Sequence, residues 1–144
     1  MDPAHLYDPF IGRWEAEGKA FLPDGGVRRH YWQIHFERAL EGRAIQDVWA
    51  FPSIFYGTTL RIYDPALDAW HILWSDPMRQ FYTRQIGRAQ GNDIVQIGKN
   101  DAGESVRWSF TEITPPSFHW IGERSRDDGK TWQLQAEFFA RRIP

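Results

Sequence analysis

The sequence contains no cysteine among its 144 residues. A disulfide, a thiolate metal site and a cysteine nucleophile are therefore all excluded. It also lacks an apolar run long enough for a membrane-spanning helix, and its first residues, "MDPAHLYDPF", have neither the basic start nor the apolar stretch of a signal peptide. We therefore expect a cytoplasmic protein that does not associate with a membrane.

An excess of one charge is also missing. The 17 Lys and Arg residues nearly balance the 19 Asp and Glu residues, and the formal net charge is −2. Nucleic acids and anionic membranes are bound by basic patches, so neither is an expected partner. The five histidines show no metal-ligand spacing, and no phosphate loop or dinucleotide fingerprint occurs. The sequence therefore predicts no metal and no cofactor.

Aromatic residues, in contrast, are abundant, with 8 Trp, 10 Phe and 5 Tyr. They favour β-strands and bury large areas. Each tryptophan also carries an N–H group that needs a partner when it is buried, so this many in a small protein suit the wall of a pocket better than a solid core. The length suits one domain with a substantial core, and we predict a single domain over residues 1–144.

After residue 12, polar and apolar residues alternate with a period of two, which is typical of strands. The strands are expected at about 12–22, 27–39, 43–51, 56–64, 68–76, 79–88, 92–99, 104–113, 117–125 and 131–142. Turn sequences such as "PDGG" and "DDGK" separate them, and Asp2 with Pro3 starts a short helical turn. Because closure removes exposed sheet edges, the sequence predicts an all-β, closed antiparallel up-and-down barrel of about ten strands, with a β-sandwich as the alternative.

The stretch "FIGRWEAEGKAF" places one large ring, Trp14, on the same strand face as three small residues. We interpret the ring as a plug and the small residues as room above it. Alternation along the last strand places Arg142 on the inward face, together with Trp132 and Leu134. In a closed meander the first and last strands are neighbours, so Trp14 and Arg142 are predicted to stack and to close one end of the barrel.

Gly12-x-Trp14 after a short helical turn, with an arginine at the end of the last strand, resembles the calycin superfamily of lipocalins and fatty-acid-binding proteins. The segments "IGRWEAEG", "GTTLRIYDPALDAW" and "RSRDDGKTW" look most like bacterial lipocalin-like domains of unknown function. This resemblance implies a barrel of about ten strands with an internal pocket, and no established reaction.

The segment "GRWEAEG" also resembles the first strand of nitrobindins, which are haem-containing barrels. In that family the proximal haem ligand is a histidine close to the C-terminus. The last strand of this chain has no histidine, and His119, one strand earlier, is the nearest substitute. Haem is therefore not expected.

Several aromatic and polar residues on the predicted inward faces are candidates for contact with a ligand. Trp49, Trp74 and Trp108 are the best of the rings, because flat rings suit a pocket wall, although simple core filling explains them equally well. Tyr82 and Trp120 lie on strands whose inward face the pattern leaves open. The predicted ligand-binding residues are His30, Trp32, Asp47, Trp49, Trp74, Tyr82, Trp108 and Trp120.

Asp47 is unusual because it shares its predicted face with Ile45 and Trp49. A carboxylate on an apolar face must be paired, neutral or in contact with water. It therefore either pairs with an arginine, for which the candidates are Arg43, Arg61 and Arg84, or orients a ligand.

These features predict that the protein binds a small, mainly apolar or aromatic molecule in an internal barrel cavity. The alternative is a cofactor-independent enzyme of the isomerase, cyclase or lyase type, in which Asp47 or His30 transfers a proton in the same cavity. A third interpretation is a partner-binding domain with a filled core and an exposed apolar patch. The sequence leaves homodimerisation open.

Overall fold

The computed structural model describes residues 2–144. Two short 3-10 turns, Pro3–His5 and Asp8–Phe10, precede ten strands, and a third turn, Leu40–Gly42, joins the second strand to the third. The strands are β1 (Gly12–Phe21), β2 (Val27–Ala39), β3 (Ala44–Phe51), β4 (Phe55–Asp64), β5 (Ala69–Asp76), β6 (Phe81–Gln90), β7 (Asp93–Lys99), β8 (Ser105–Thr111), β9 (Ser117–Ser125) and β10 (Gln133–Ile143). No helix among the described residues is long and apolar enough to cross a membrane.

The strands form a closed antiparallel barrel in which each strand pairs with its neighbours in the chain. Closure is completed by β1, which pairs with β2 on one side and with β10 on the other. The predicted fold class, including the short N-terminal helical turn, is confirmed. Alternation and turn chemistry predicted every strand end to within two residues, because both signals are local and neither depends on distant contacts.

The N-terminal turns cover one end of the barrel, which we call the closed end. The carboxylate of Asp2 accepts the backbone N–H of Ala4 at 2.9 Å and caps the first turn. Phe10 from the second turn is buried inside the barrel. The indole N–H of Trp70 donates to the Pro3 carbonyl at 2.8 Å and fixes the first turn against β5.

Arg142 and Trp14 lie together at this end. The guanidinium carbon of Arg142 is 4.3 Å from the centroid of the Trp14 ring. The same guanidinium donates from Nη1 to the Ile11 carbonyl at 2.7 Å and from Nη2 to the Pro9 carbonyl. One side chain of β10 therefore binds the segment that enters β1.

The small residues that follow Trp14 allow close packing of neighbouring strands. A Cβ atom on Gly18 would lie 2.1 Å from the Glu137 carbonyl oxygen and 2.4 Å from the Phe138 Cβ atom. At Gly18 the space is thus taken by the backbone of β10 and the Cβ atom of Phe138 and is not left open. Phe138, which pairs with Gly18, is 1 % exposed.

The expected alternation fails at the start of β10. The register shifts between Leu134 and Ala136, which marks a bulge. An inserted residue reverses the parity of everything before it. As a result Leu134 is 37 % exposed, and Trp132 lies before the strand, under the guanidinium of Arg107 at 4.2 Å. The prediction that these two side chains face inward is therefore wrong.

Candidate functional site

The end of the barrel opposite the N-terminal turns is lined by aromatic rings. We call this group the tryptophan cluster, and it consists of Trp32, Trp49, Phe55, Trp74, Trp108, Trp120 and Phe138. Neighbouring rings have centroids 4.9–6.2 Å apart, and most of them meet edge to face. These are the distances and orientations that aromatic pairs prefer.

The tryptophan cluster brings together every tryptophan that the sequence nominated for ligand contact. Alternation places Trp32, Trp49, Trp74 and Trp108 on inward positions of four strands, and Trp120, whose face the pattern left open, also points inward. Each is less than a tenth exposed except Trp108, which is partly buried. The rings pack against one another and fill this half of the interior.

His30 lies beside the tryptophan cluster. Its ring stacks on Trp32 with centroids 5.0 Å apart and planes 9° apart. Burial lowers the pKa of His30 below its ordinary value of 6.5, and the positive charges of Arg79 and Arg28 lower it further. The imidazole is therefore neutral at neutral pH.

The indole N–H groups at the two ends of the barrel differ in their partners. At the closed end, Trp14 donates to the Phe10 carbonyl at 2.8 Å, and Trp70 donates to Pro3. In the tryptophan cluster, the buried Nε1 atoms of Trp32 and Trp49 have no partner within residues 2–144. Buried polar groups are nearly always hydrogen-bonded, so two such groups in one cluster call for an explanation.

Asp47 lies between the closed end and the tryptophan cluster and is fully buried. One carboxylate oxygen accepts the backbone N–H of Thr59 at 2.9 Å, and the other pairs with Nη1 of Arg61. Of the three arginines considered, Arg61 on β4 is the partner. Its guanidinium is also buried, and it lies over the rings of Tyr7 and Phe110, 4.9 Å and 5.5 Å from their centroids.

A chain of side-chain hydrogen bonds continues from Arg61. Its Nε donates to Oε1 of Gln96 at 3.2 Å, and the Tyr7 hydroxyl donates to the same oxygen at 2.8 Å. Nε2 of Gln96 donates to Oε1 of Gln85 at 3.2 Å. Burial raises the pKa of Tyr7, which keeps its hydroxyl protonated as a donor. We call Asp47, Arg61, Gln96, Gln85 and Tyr7 the polar chain.

Of the polar chain, the sequence pattern predicted only the pairing of Asp47 with an arginine. The signal was available, because Gln85 and Gln96 occupy inward positions of β6 and β7 where alternation expects apolar residues. Polar residues at such positions must find buried partners. Tyr7, however, comes from outside the strands, and only the packed N-terminal turn brings it there.

Tyr82 is a correction to the predicted site. It lies on the outer face of β6 and is 48 % exposed, and its hydroxyl donates to Gln80 at 3.0 Å. Two successive aromatic residues make the alternation ambiguous here. The hairpin decides it, because Phe81 pairs with the buried Asp76 and so shares its inward face.

His119, the nearest substitute for a haem-binding histidine, lies on the outer face of β9. Its ring stacks on Phe139 with centroids 4.1 Å apart, and its Nδ1 is 3.3 Å from a carboxylate oxygen of Glu112. It therefore does not reach the barrel interior. Across residues 2–144, no three His, Asp or Glu side chains come together in an arrangement that could hold a metal ion.

Two large surface grooves lie outside the tryptophan cluster. A groove of about 890 Å³ runs along β1, β2, β9 and β10, where it is lined by Glu17, Glu137 and Phe139 and also reaches His30. A second, of about 750 Å³, lies at the closed end beside Leu6. Neither is lined by a ring of the tryptophan cluster.

Solved structures share this architecture. The chain is similar to Rv2717c from M. tuberculosis, with a TM-score of 0.69, 13 % identity and coverage of 100 % of this chain and 99 % of that one. It is also similar to an S-type phycobiliprotein lyase from Guillardia theta, with a TM-score of 0.66, 10 % identity and coverage of 100 % and 94 %. No protein-family model matches the chain, and a sequence search of curated proteins finds no match. At these identities the similarity establishes a shared ten-stranded barrel fold.

Proposed function

We propose that this chain is a lipocalin-like barrel that binds a small, mainly apolar or aromatic molecule among the rings of the tryptophan cluster. The observation that carries the proposal is the pair of buried indole N–H groups of Trp32 and Trp49 that lack a partner within residues 2–144. Trp14 and Trp70 in the same barrel do have partners, so unpaired indoles are not a general property of this fold.

The physical cost of the arrangement supports a ligand. A buried donor that lacks a hydrogen bond costs about 1–3 kcal/mol, and two of them would be a large fraction of the stability of a small domain. A bound molecule that accepts these hydrogen bonds would remove that cost. The rings of the cluster also contact one another mostly edge to face, a geometry that a flat ligand can reproduce.

Entry would take place at the end opposite the N-terminal turns. Phe51, Phe81 and Trp108 are partly buried there and pack against fully buried rings of the core. Side chains with one exposed face can change rotamer without breaking backbone pairing. The strands would then stay in place while the rings make room.

Native mass spectrometry of the protein, freshly purified from its own host, tests the proposal beside a denatured sample. We expect a mass excess that disappears on denaturation, and its value begins to identify the molecule. Exchange of the bound molecule for added 2-acetylnaphthalene would show that the site is reversible. A protein that carries no excess mass and binds no added aromatic probe would contradict the proposal.

Two variants locate the site. Trp74→Ala removes a ring from the tryptophan cluster and should abolish retention of the molecule. Trp132→Ala removes the same side chain from the turn outside the barrel, where it contacts Arg107, and should leave retention unchanged. Equal retention by both variants would place the site elsewhere.

The alternative, proton-transfer chemistry, has one observation in its favour. His30 has a buried ring nitrogen, Nδ1, without a partner among the described residues, and its lowered pKa keeps it able to accept a proton. Asp47, in contrast, is already occupied by Arg61 and a backbone N–H. Incubation of the protein with the recovered molecule separates the two functions, because a binding protein returns it with unchanged mass and covalent structure, whereas an isomerase, cyclase or lyase alters its structure.

A further inference from the structure

We infer that the bound molecule carries a neutral carbonyl oxygen and that the side-chain amide of Gln85 donates a hydrogen bond to it. This inference rests on the proposed function and specifies the chemical class of the ligand. Its central observation is the Gln85 amide at the end of the polar chain, so it can fail while the proposed function holds.

The direction of the polar chain is fixed by Arg61. A guanidinium can only donate, so the Gln96 atom that faces Nε of Arg61, at 3.2 Å, must be the amide oxygen. The Tyr7 hydroxyl donates to that same oxygen. The amide nitrogen of Gln96 must then point to Gln85, and the Gln85 atom that receives it at 3.2 Å must be its oxygen.

It follows that the other end of the Gln85 amide is an N–H donor. This orientation is a consequence of the network and is not a free choice between two flips of the amide. The side chain is 1 % exposed, and its Nε2 has no partner among residues 2–144. The polar chain therefore ends in a buried donor.

Gln85 lies at the boundary between the two halves of the barrel. The next inward position towards the closed end is Gly87, where a Cβ atom would be 2.7 Å from the Tyr7 hydroxyl. The next inward position in the other direction is Thr83, which pairs with Trp74 of the tryptophan cluster. Gly98, beside Gln85 on β7, contributes no side chain. Gln85 thus lies one inward position from the residue that pairs with Trp74, between the polar chain and the tryptophan cluster.

Three of the unpartnered buried atoms can only donate a hydrogen bond. They are Nε1 of Trp32, Nε1 of Trp49 and Nε2 of Gln85, none of which has a partner within residues 2–144. The imidazole Nδ1 of His30, also unpartnered there, donates or accepts according to its tautomer. A molecule complementary to the three donors must therefore offer acceptors. Because Asp47 already neutralises Arg61, a buried carboxylate would find no free positive charge there. A ketone, ester or amide oxygen fits both conditions.

Matched probes test the inference. 2-Acetylnaphthalene carries a ketone, and 2-isopropenylnaphthalene has the same shape with a C=CH2 group in place of C=O. We expect the ketone to bind about ten-fold more tightly in calorimetric titrations, which is the effect of one buried hydrogen bond. The carboxylate 2-naphthoate should bind more weakly than the ketone, and tighter binding of the carboxylate would overturn the requirement for a neutral oxygen.

The variant Gln85→Met removes the donor and keeps the volume, so the two neutral probes should then bind with nearly equal affinity. Gln133→Met on the exposed start of β10 is the matched control and should preserve the preference. The same control shows whether a methionine substitution as such changes binding.

Nuclear magnetic resonance gives a readout that survives if Gln85→Met fails to fold. In the wild-type protein the Gln85 side-chain amide protons should move downfield with 2-acetylnaphthalene and not with 2-isopropenylnaphthalene. Equal affinities with an unmoved Gln85 amide would overturn the inference and leave the proposed function intact. Binding of none of the probes by a protein that also carries no excess mass from its host would contradict the proposed function itself.

Discussion

The two halves of the barrel interior are built from the same residue types but differ in how their polar atoms are satisfied. At the closed end, both indole groups and the Tyr7 hydroxyl have partners. In the opposite half, the two indole groups of Trp32 and Trp49 have none within residues 2–144. Between the halves, the Asp47–Arg61 ion pair is complete, whereas the Gln85 amide nitrogen has no partner within the same residues. Aromatic rings therefore fill both halves, and what distinguishes the halves is whether the N–H groups that the rings carry have hydrogen-bond partners.

The largest expected effect concerns the ring at the closed end. Trp14→Ala should destabilise the fold by about 3–5 kcal/mol, because it removes a fully buried ring that packs on Phe10 and Phe118. Trp74→Ala should lower the free energy of unfolding less than Trp14→Ala does, and it should weaken ligand binding more. Urea denaturation with and without the recovered molecule measures both quantities. A loss below about 1 kcal/mol for Trp14→Ala would show that the closed end is not the stabilising half.

The buried ion pair offers the next test. Asp47→Leu leaves the Arg61 guanidinium buried without its anion, and we expect a loss of about 3–5 kcal/mol in the free energy of unfolding. The double variant Asp47→Leu, Arg61→Met should recover most of that loss, because both charges are gone. If the double variant is as unstable as the single one, removal of the unpaired charge does not restore stability. The loss would then come from the missing hydrogen bond between Arg61 and Gln96.

Replacing tryptophan by phenylalanine tests the comparison directly. Trp70→Phe removes an indole N–H that donates a hydrogen bond and leaves the Pro3 carbonyl without its donor. Trp49→Phe removes an indole N–H that has no hydrogen-bond partner among the described residues. In the ligand-free protein we expect Trp70→Phe to cost about 1–2 kcal/mol more than Trp49→Phe, since only one of them loses a hydrogen bond. Equal costs in chemical denaturation would remove the distinction between the two halves.

The smallest expected effect is a dependence on pH. The pKa of His30 is lowered in the folded protein, so the unfolded chain binds the proton more tightly. The contribution of His30 to the free energy of unfolding should therefore be fully present above about pH 6.5, and it should decline as the pH falls towards the pKa of the folded state. His30→Gln should reduce this decline. The measurement is the difference in unfolding free energy between wild type and variant at pH 7.5 and pH 5.5, and a constant difference would contradict the prediction.

The sequence was sufficient for the fold because its signals are local. Alternation and turn residues gave ten strands, and the pairing of the first with the last followed from the need to hide both edges. The inward-facing residues of the site were harder to predict. The bulge near Leu134 changes which residues of β10 face inward, and the alternation does not reveal it. The successive rings of Phe81 and Tyr82 left the inward face of β6 undecided, and only the pairing of Phe81 with Asp76 in the hairpin determines it. The polar chain depends on Tyr7, which only tertiary packing brings beside Gln96.

The bond between Arg142 and the segment before β1 has a consequence for folding kinetics. Trp14 pairs with Arg142 across almost the whole length of the chain, and the eight residue pairs between β1 and β10 all have very high sequence separation. The entropy of closing so long a loop slows folding, and this pairing cannot form before the last strand has left the ribosome. Until then β1 presents an unpaired strand edge. The nascent chain is consequently most exposed to aggregation in the interval just before synthesis of β10 is complete.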